Sequence, residues 1–226
     1  MYNSLVLYGV CLFQWNLISI INSNIFNYQN KKWIINNMNI LNNTLITSLI
    51  LFEKYNNVIA SPNAIYYYMI VAYYIYDIKR LPIFSIFWIH HVLSNFIIIL
   101  VQNETENIDI YRNIFLVFEL GNLPLYLVYG MKTSIYNSYW KKSIWLKIFM
   151  AFEFIWYTFF RCVLPIIYIS KIPIMYKLFL IFFISASAKW SIGIYNNLIK
   201  EFAKDFQLEE SELSIGIFPD DYNQKK

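Results

Sequence analysis

The chain has 226 residues, of which 58% are hydrophobic, 20% aromatic and only 14% charged. A soluble domain carries about 25% charged and about 45–50% apolar residues, so this composition excludes an ordinary soluble domain and predicts a membrane protein. The net charge of +4 is not gathered into a basic stripe broken by aromatic residues, so nucleic-acid binding is not predicted. The two cysteines, Cys11 and Cys162, lie in different apolar segments, which predicts neither a disulfide framework nor a metal site.

Seven apolar stretches follow one another along the chain. They cover residues 4–22, 38–53, 63–78, 82–102, 112–131, 143–170 and 173–198. A helix needs about 20 apolar residues to cross a bilayer, so the predicted fold is an all-α, polytopic transmembrane bundle of about seven spans.

The first stretch has no basic segment before it and no small-residue cleavage site, and Gln14 and Asn16 interrupt it. We therefore expect a retained first helix rather than a cleaved signal peptide. The second stretch is short and rich in Asn. Pro82 and Pro173 stand where the fourth and seventh helices are predicted to begin, because the first turn of a helix tolerates the missing N–H of proline.

The fourth stretch contains both histidines of the chain, His90 and His91, and the third closes on Asp77. Ionisable side chains within a span cost free energy and usually face a bundle interior or a polar cavity. Adjacent helical residues point about 100° apart, so we expect one ring to face a cavity while a neighbour holds the other.

An imidazole facing a cavity could act as a general base or a nucleophile. Adjacent histidines do not have the i, i+4 spacing of metal ligands, so no metal is predicted. The alternative is that both rings form hydrogen bonds between helices and carry no chemistry.

In the fifth stretch, Glu119 precedes Gly121-Asn122-Leu123-Pro124. Gly121 and Pro124 are predicted to break this helix, and carbonyls freed at membrane depth persist only where protein or water satisfies them. Glu119 is therefore the acidic residue we favour for a site.

The sixth stretch contains Glu153 and Arg161, and the seventh contains Lys189. Eight helical residues span about 12 Å, so Glu153 and Arg161 cannot bond each other. Buried charges need partners on other helices or in a polar cavity, and we expect the pairs Glu119–Arg161 and Glu153–Lys189. The alternative is that these groups only hold helices together or extend towards the interface.

Basic residues are unevenly divided between alternate loops. One side has Lys31, Lys32, Lys79, Arg80, Lys132, Lys141, Lys142 and Lys147, and the other has Lys54, Arg112, Lys171 and Lys177. The positive-inside rule makes the first side cytoplasmic, with the N-terminus lumenal or external and the C-terminus cytosolic.

Asn103-Glu104-Thr105 is then a glycosylation acceptor pattern on the lumenal side. The polar residues 204–226 predict a solvated, disordered tail.

Three segments taken together resemble the TLC domain, which ceramide synthases, translocating-chain-associated proteins and several small multipass proteins share. They are Tyr73-Tyr-Ile-Tyr-Asp77, His90-His91-Val-Leu-Ser94, and Phe118-Glu-Leu-Gly-Asn-Leu-Pro124 followed by Lys132. Trp33, Phe160-Arg161 and Lys189-Trp190 are also similar to family positions.

The resemblance implies a TLC-like domain over residues 30–205, preceded by a first helix and loop over 1–29 and followed by a cytosolic tail over 206–226. Six core helices would enclose a membrane cavity, typically in the endoplasmic reticulum. His90, His91, Glu119 and Asp77 would be the catalytic candidates, and Asn122, Arg161 and Trp190 the lipid-binding ones. The partners would be membrane lipids. No cofactor is expected, with acyl-CoA a co-substrate only in an acyltransferase.

Three functions stay open at this point. The chain could bind lipids or affect membrane lipid composition, as small TLC proteins do. It could be a ceramide-synthase-like N-acyltransferase, although Asn122 stands where that branch has a second aspartate and Asn42 where many relatives have a histidine. It could also be a trafficking or chaperone protein that carries sorting signals in its tail.

Overall fold

A computed structural model describes residues 2–27, 29, 31–104, 106–134 and 136–215, and all regular structure in these ranges is helical. The helices are α1 (Tyr2–Ile25), α2 (Lys31–Tyr55), α3 (Ile65–Ile78), α4 (Ile86–Val101), α5 (Ile108–Thr133), α6 (Asn137–Lys142), α7 (Ile144–Thr158), α8 (Ile166–Ile169) and α9 (Ile174–Ile215). A π-helical turn, Phe159–Val163, connects α7 to α8. The prediction of an all-α fold is therefore confirmed.

Among the described residues, four helical segments are long and apolar enough to cross a membrane. They are Leu5–Ile25, Ile108–Thr133, Ile144–Ile169 and Ile174–Ala203, and the third includes the π-helical turn. The segment Phe87–Val101 is apolar but shorter. The remaining predicted spans also form helices, α2 and α3, but α2 contains many Asn residues and α3 has only 14 residues. Seven membrane crossings therefore stay a prediction.

The fourth helix begins later than predicted. Its N-cap is Ser85, whose side chain accepts a hydrogen bond from the Trp88 N–H at 3.2 Å, and Pro82 lies outside the helix. Phe84 has a φ of 60°, which is incompatible with a right-handed helix. His90 and His91 consequently lie in the second turn of a 16-residue helix and not near the middle of a longer span.

The predicted break in the fifth helix is wrong, because α5 continues through Gly121 and Pro124. Pro124 has no N–H to donate to the carbonyl of Leu120, four residues earlier. The indole Nε1 of Trp156 donates to that carbonyl at 2.8 Å. A side chain from α7 thus replaces the missing backbone bond, and the helix does not need to end.

Each helix packs against particular neighbouring helices. α2 lies along α5, α1 along α3, α4 against α3, and α7 between α5 and α9. Near one end, Arg112 on α5 bonds Asp109 at 2.6 Å, approaches Glu53 of α2 at 3.5 Å, and donates to the Val58 carbonyl at 2.9 Å. This cluster ties α2 and the α2–α3 loop to α5.

The predictions for the C-terminal tail and for the glycosylation pattern at Asn103 have different outcomes. α9 continues to Ile215, so residues 204–215 of the predicted disordered tail are helical, while residues 216–226 lie outside the described part. Asn103 is exposed between α4 and α5 and donates to the Ile99 carbonyl at 2.8 Å. Thr105 of the acceptor pattern lies outside the described residues.

Candidate functional site

A cleft of about 670 Å³, counting its open side, lies between α4, α5, the π-helical turn and α9. Its walls are mostly apolar and include Ile97, Ile98, Val101, Ile114, Phe115 and Leu180. Tyr74, His90, Glu119 and Arg161 form a polar end. The cleft therefore combines a long, mostly apolar surface with a polar end that holds His90, Glu119 and Arg161.

The two histidines have different surroundings. His90 lines the cleft, whereas His91 turns towards α3, where its Nε2 lies 3.7 Å from Oδ2 of Asp77. The Tyr74 ring packs edge-on against His91, with 4.5 Å between the ring centroids. Asp77 and His91 thus form a pair behind the cleft, and His90 is the histidine that a ligand can reach.

Aromatic rings enclose His90. Phe183 and Trp190 of α9 lie 5.2 and 5.5 Å from its ring, both edge-on. Trp190 stacks on Phe87 at 5.3 Å and does not line the cleft, so it lies behind His90, and its role in binding lipid stays a prediction. The Nδ1 atoms of His90 and His91 are both buried without a hydrogen-bond partner.

Glu119 is held from two helices. The Asn43 amide donates both to the Glu119 carboxylate and, at 2.9 Å, to its backbone carbonyl. The Tyr74 side chain bonds the same carboxylate. Asn43 and Tyr74 were not predicted as site residues, although Tyr74 belongs to the Tyr-rich segment and Asn43 directly follows the position singled out at Asn42.

Arg161 reaches the cleft because two helices approach each other unusually closely. A Cβ placed on Gly121 would lie 2.6 Å from Cγ and 2.8 Å from Cδ of Arg161, so only glycine leaves room for this side chain. The π-helical turn adds a residue to the helix at the same place, as such turns often do at functional sites. The guanidinium lies over the Phe118 ring at 4.5 Å from its centroid.

The predicted charge pairs are not formed as expected. Glu119 and Arg161 line the same cleft and act on each other electrostatically, but no ion pair within 4.0 Å joins them. Lys189 is exposed, and the cation that acts on buried Glu153 is Lys132. The prediction of a Glu153–Lys189 pair is therefore wrong, because Lys189 points away from the bundle.

Asn122 is partly buried and, unlike Glu119 three residues earlier on the same helix, does not line the cleft. Within the described ranges, no three His, Cys, Asp or Glu side chains are grouped as metal ligands. Cys11 and Cys162 are free thiols.

No family model, no curated protein and no solved structure matches the chain. The resemblance to the TLC domain accordingly stays a prediction.

Proposed function

We propose that the chain is a multipass membrane protein of the TLC type, which binds a membrane lipid in the cleft and thereby affects membrane lipid composition. The observation that carries this proposal is the combination of an apolar wall with one polar end between helices. Ligand sites in proteins are commonly concave and apolar, with a few convergent polar groups that orient the ligand.

The polar end supports a role beyond helix packing. His90, Glu119 and Arg161 come from three different helical elements and line one space. Ionisable groups within the membrane are costly, and those that face a cavity commonly mark a substrate path. Asn43 of α2 and Tyr74 of α3 both bond Glu119, which keeps the carboxylate at one position.

In the proposed membrane arrangement, α1 to α5, the α7–α8 unit and α9 make seven crossings, and the last six form the TLC core. The N-terminus is lumenal, the C-terminus is cytosolic, and the membrane is the endoplasmic reticulum or a related one. The division of Lys and Arg between alternate loops supports this orientation.

Occupation of the cleft is testable with lipids labelled biosynthetically from a photoactivatable, clickable fatty acid. We expect ultraviolet light to cross-link lipid to the wild-type chain. Ser94→Phe should lose most of the labelling that maps to cleft residues, because Ser94 is a small residue of the cleft wall and the larger ring would fill the space.

The matched control is Ile99→Phe on the same helix, since Ile99 is 45% exposed and does not line the cleft. Its labelling should equal that of the wild type. Equal labelling of all three proteins would contradict lipid binding in the cleft.

A second candidate function is acyl transfer from acyl-CoA to a lipid amine, and the position of His90 favours it. In that reaction the amine nitrogen bonds to the acyl carbon as the thioester C–S bond breaks and CoA leaves as the thiol. The His90 imidazole would accept the amine proton, and Glu119 or Arg161 would orient the reactants. His91, paired with Asp77, would position His90 rather than touch the reactants.

Membranes that contain the chain, supplied with acyl-CoA and a long-chain base, test this candidate. The enzyme would produce new amide, and His90→Ala would abolish it, whereas His91→Ala would lower it less because His91 does not line the cleft. Equal amide formation with the wild type and both variants would rule out catalysis by the histidine pair.

A further inference from the structure

Arg161 is a buried cation whose hydrogen-bonding capacity is largely unused. Its exposure is 5%, and its Nε has no partner. The only hydrogen bond from the guanidinium is a long one of 3.4 Å, from Nη1 to the Phe118 carbonyl. A guanidinium has five N–H donors, so most of them lack an acceptor.

Burial of a charge in this state is costly unless an anion or several acceptors accompany it. Among the described residues, the Glu119 carboxylate lines the same cleft, but it lies beyond 4.0 Å from the guanidinium and accepts hydrogen bonds from Asn43 and Tyr74. The rings of Phe118 and Tyr157 stabilise the positive charge without accepting its N–H groups. At the polar end of the cleft, most N–H donors of Arg161 therefore lack hydrogen-bond acceptors from the described residues.

Beyond the polar end, the lining is mostly apolar, with Ser94 on α4 and the Tyr111 and Tyr176 rings at the far end. On α4 the lining residues run from His90 to Val101, and on α5 from Glu119 back to Tyr111. At 1.5 Å per residue these runs are about 16 Å and about 12 Å long. Phe115, Phe179 and Leu180 close the sides, so the space suits one extended hydrocarbon chain.

We propose that the ligand of the cleft is a long-chain carboxylic acid, whose carboxylate binds Arg161 and whose chain lies between α4, α5 and α9. This inference rests on the proposed lipid-binding function and adds the chemistry of the head group. A carboxylate matches the planar guanidinium through two parallel N–H···O bonds and supplies the acceptors that Arg161 lacks.

The test uses the full chain in nanodiscs of phosphatidylcholine, with palmitic acid as the probe. A fatty alcohol of the same chain length and a single-chain lysophosphatidic acid are the comparison ligands. The acid should bind the wild type at least about tenfold more tightly than the alcohol, because a hydrogen bond to a charged group contributes more than the factor of ten requires.

Two variants sharpen the comparison. Arg161→Gln should lose about tenfold or more in affinity for the acid and little for the alcohol, while Arg161→Lys should keep part of the preference. If Arg161→Gln does not fold, the preference of the wild type for acid over alcohol still decides the question.

Equal binding of acid and alcohol would overturn the carboxylate and leave lipid binding intact. Tighter binding of lysophosphatidic acid than of palmitic acid would overturn it in favour of a phosphate head group. Absence of binding by all three ligands, together with absence of photolabelling in cells, would overturn both the head group and the lipid-binding proposal.

Discussion

Gly121 is the residue on which the polar end of the cleft depends most directly. Its missing side chain leaves room for the Cγ and Cδ atoms of Arg161 and for Cβ of Phe160, which a Cβ on residue 121 would meet at 2.6, 2.8 and 3.2 Å. Real Cβ atoms do not approach other heavy atoms to 2.6 Å, so a substitution must displace the Arg161 side chain or push the π-helical turn away from α5. The space around one glycine thus sets the position of Arg161.

We predict that Gly121→Ala lowers the free energy of unfolding by about 1–3 kcal/mol, the usual cost of overpacking. Gly193→Ala is the control, since no atom lies within 4 Å of its added Cβ and alanine favours a helix more than glycine does. Thermal unfolding in detergent measures both. If Gly121→Ala lowered the melting temperature no more than Gly193→Ala does, the close approach of Gly121 to Arg161 would be contradicted.

At the scale of an element, α5 stays helical across a proline because other helices satisfy its carbonyls. Trp156 donates to Leu120, the acceptor that Pro124 leaves free, and Asn43 donates to the carbonyl of Glu119. Asn36 donates to the carbonyl of Tyr126 at 2.9 Å. These bonds hold α2 and α7 against the segment of α5 that carries Glu119.

We predict that Trp156→Phe costs about 1–3 kcal/mol of stability, because the Leu120 carbonyl then lacks a donor. In a Pro124→Ala background the cost should be smaller, since residue 124 regains an N–H for that carbonyl. A double-mutant cycle from denaturation in detergent measures the coupling between the two positions.

Trp145→Phe serves as the control for this cycle, because Trp145 is on the same helix but 58% exposed. Its effect should be small and independent of residue 124. Strictly additive effects of Trp156→Phe and Pro124→Ala would show that the indole does not replace the missing backbone bond.

At the scale of the whole molecule, the orientation proposed for the chain across the membrane can be tested. We predict that an engineered glycosylation acceptor site after Lys141 stays unmodified, because that loop is on the proposed cytosolic side. A site in an extended loop near Asn103 should be modified when it is far enough from the membrane. Glycosylation of each site is measured as a decrease in gel mobility that treatment with a glycosidase reverses. Glycosylation of the site after Lys141 would contradict the proposed orientation.

Some features of the fold could be predicted from the sequence better than others. Apolar runs located every long helix, since burial in lipid requires them whatever the tertiary contacts are. The angle between adjacent helical residues was enough to separate the environments of His90 and His91. The position of a helix start was harder, because Ser85 and not Pro82 caps α4.

Contacts between distant residues could not be predicted from this sequence. Asn43 and Glu119 are 76 positions apart, and no local pattern pairs them. The continuity of α5 through Pro124 likewise depends on Trp156, which lies on another helix. The π-helical turn at Arg161 has no distinctive residue pattern, and its counterpart Gly121 looked like a helix breaker when it is a packing site.

The shortness of α3 and α4 has a consequence for the surrounding bilayer in the proposed seven-span arrangement. Helices of 14 and 16 residues are about 21 and 24 Å long, less than the hydrocarbon thickness of about 30 Å. Such hydrophobic mismatch is relieved by local thinning of the lipid, and it favours residence in thinner membranes. Thinning next to α4 would bring the headgroup layer towards His90, so that an amphiphile moving out of its leaflet has a shorter distance to cover.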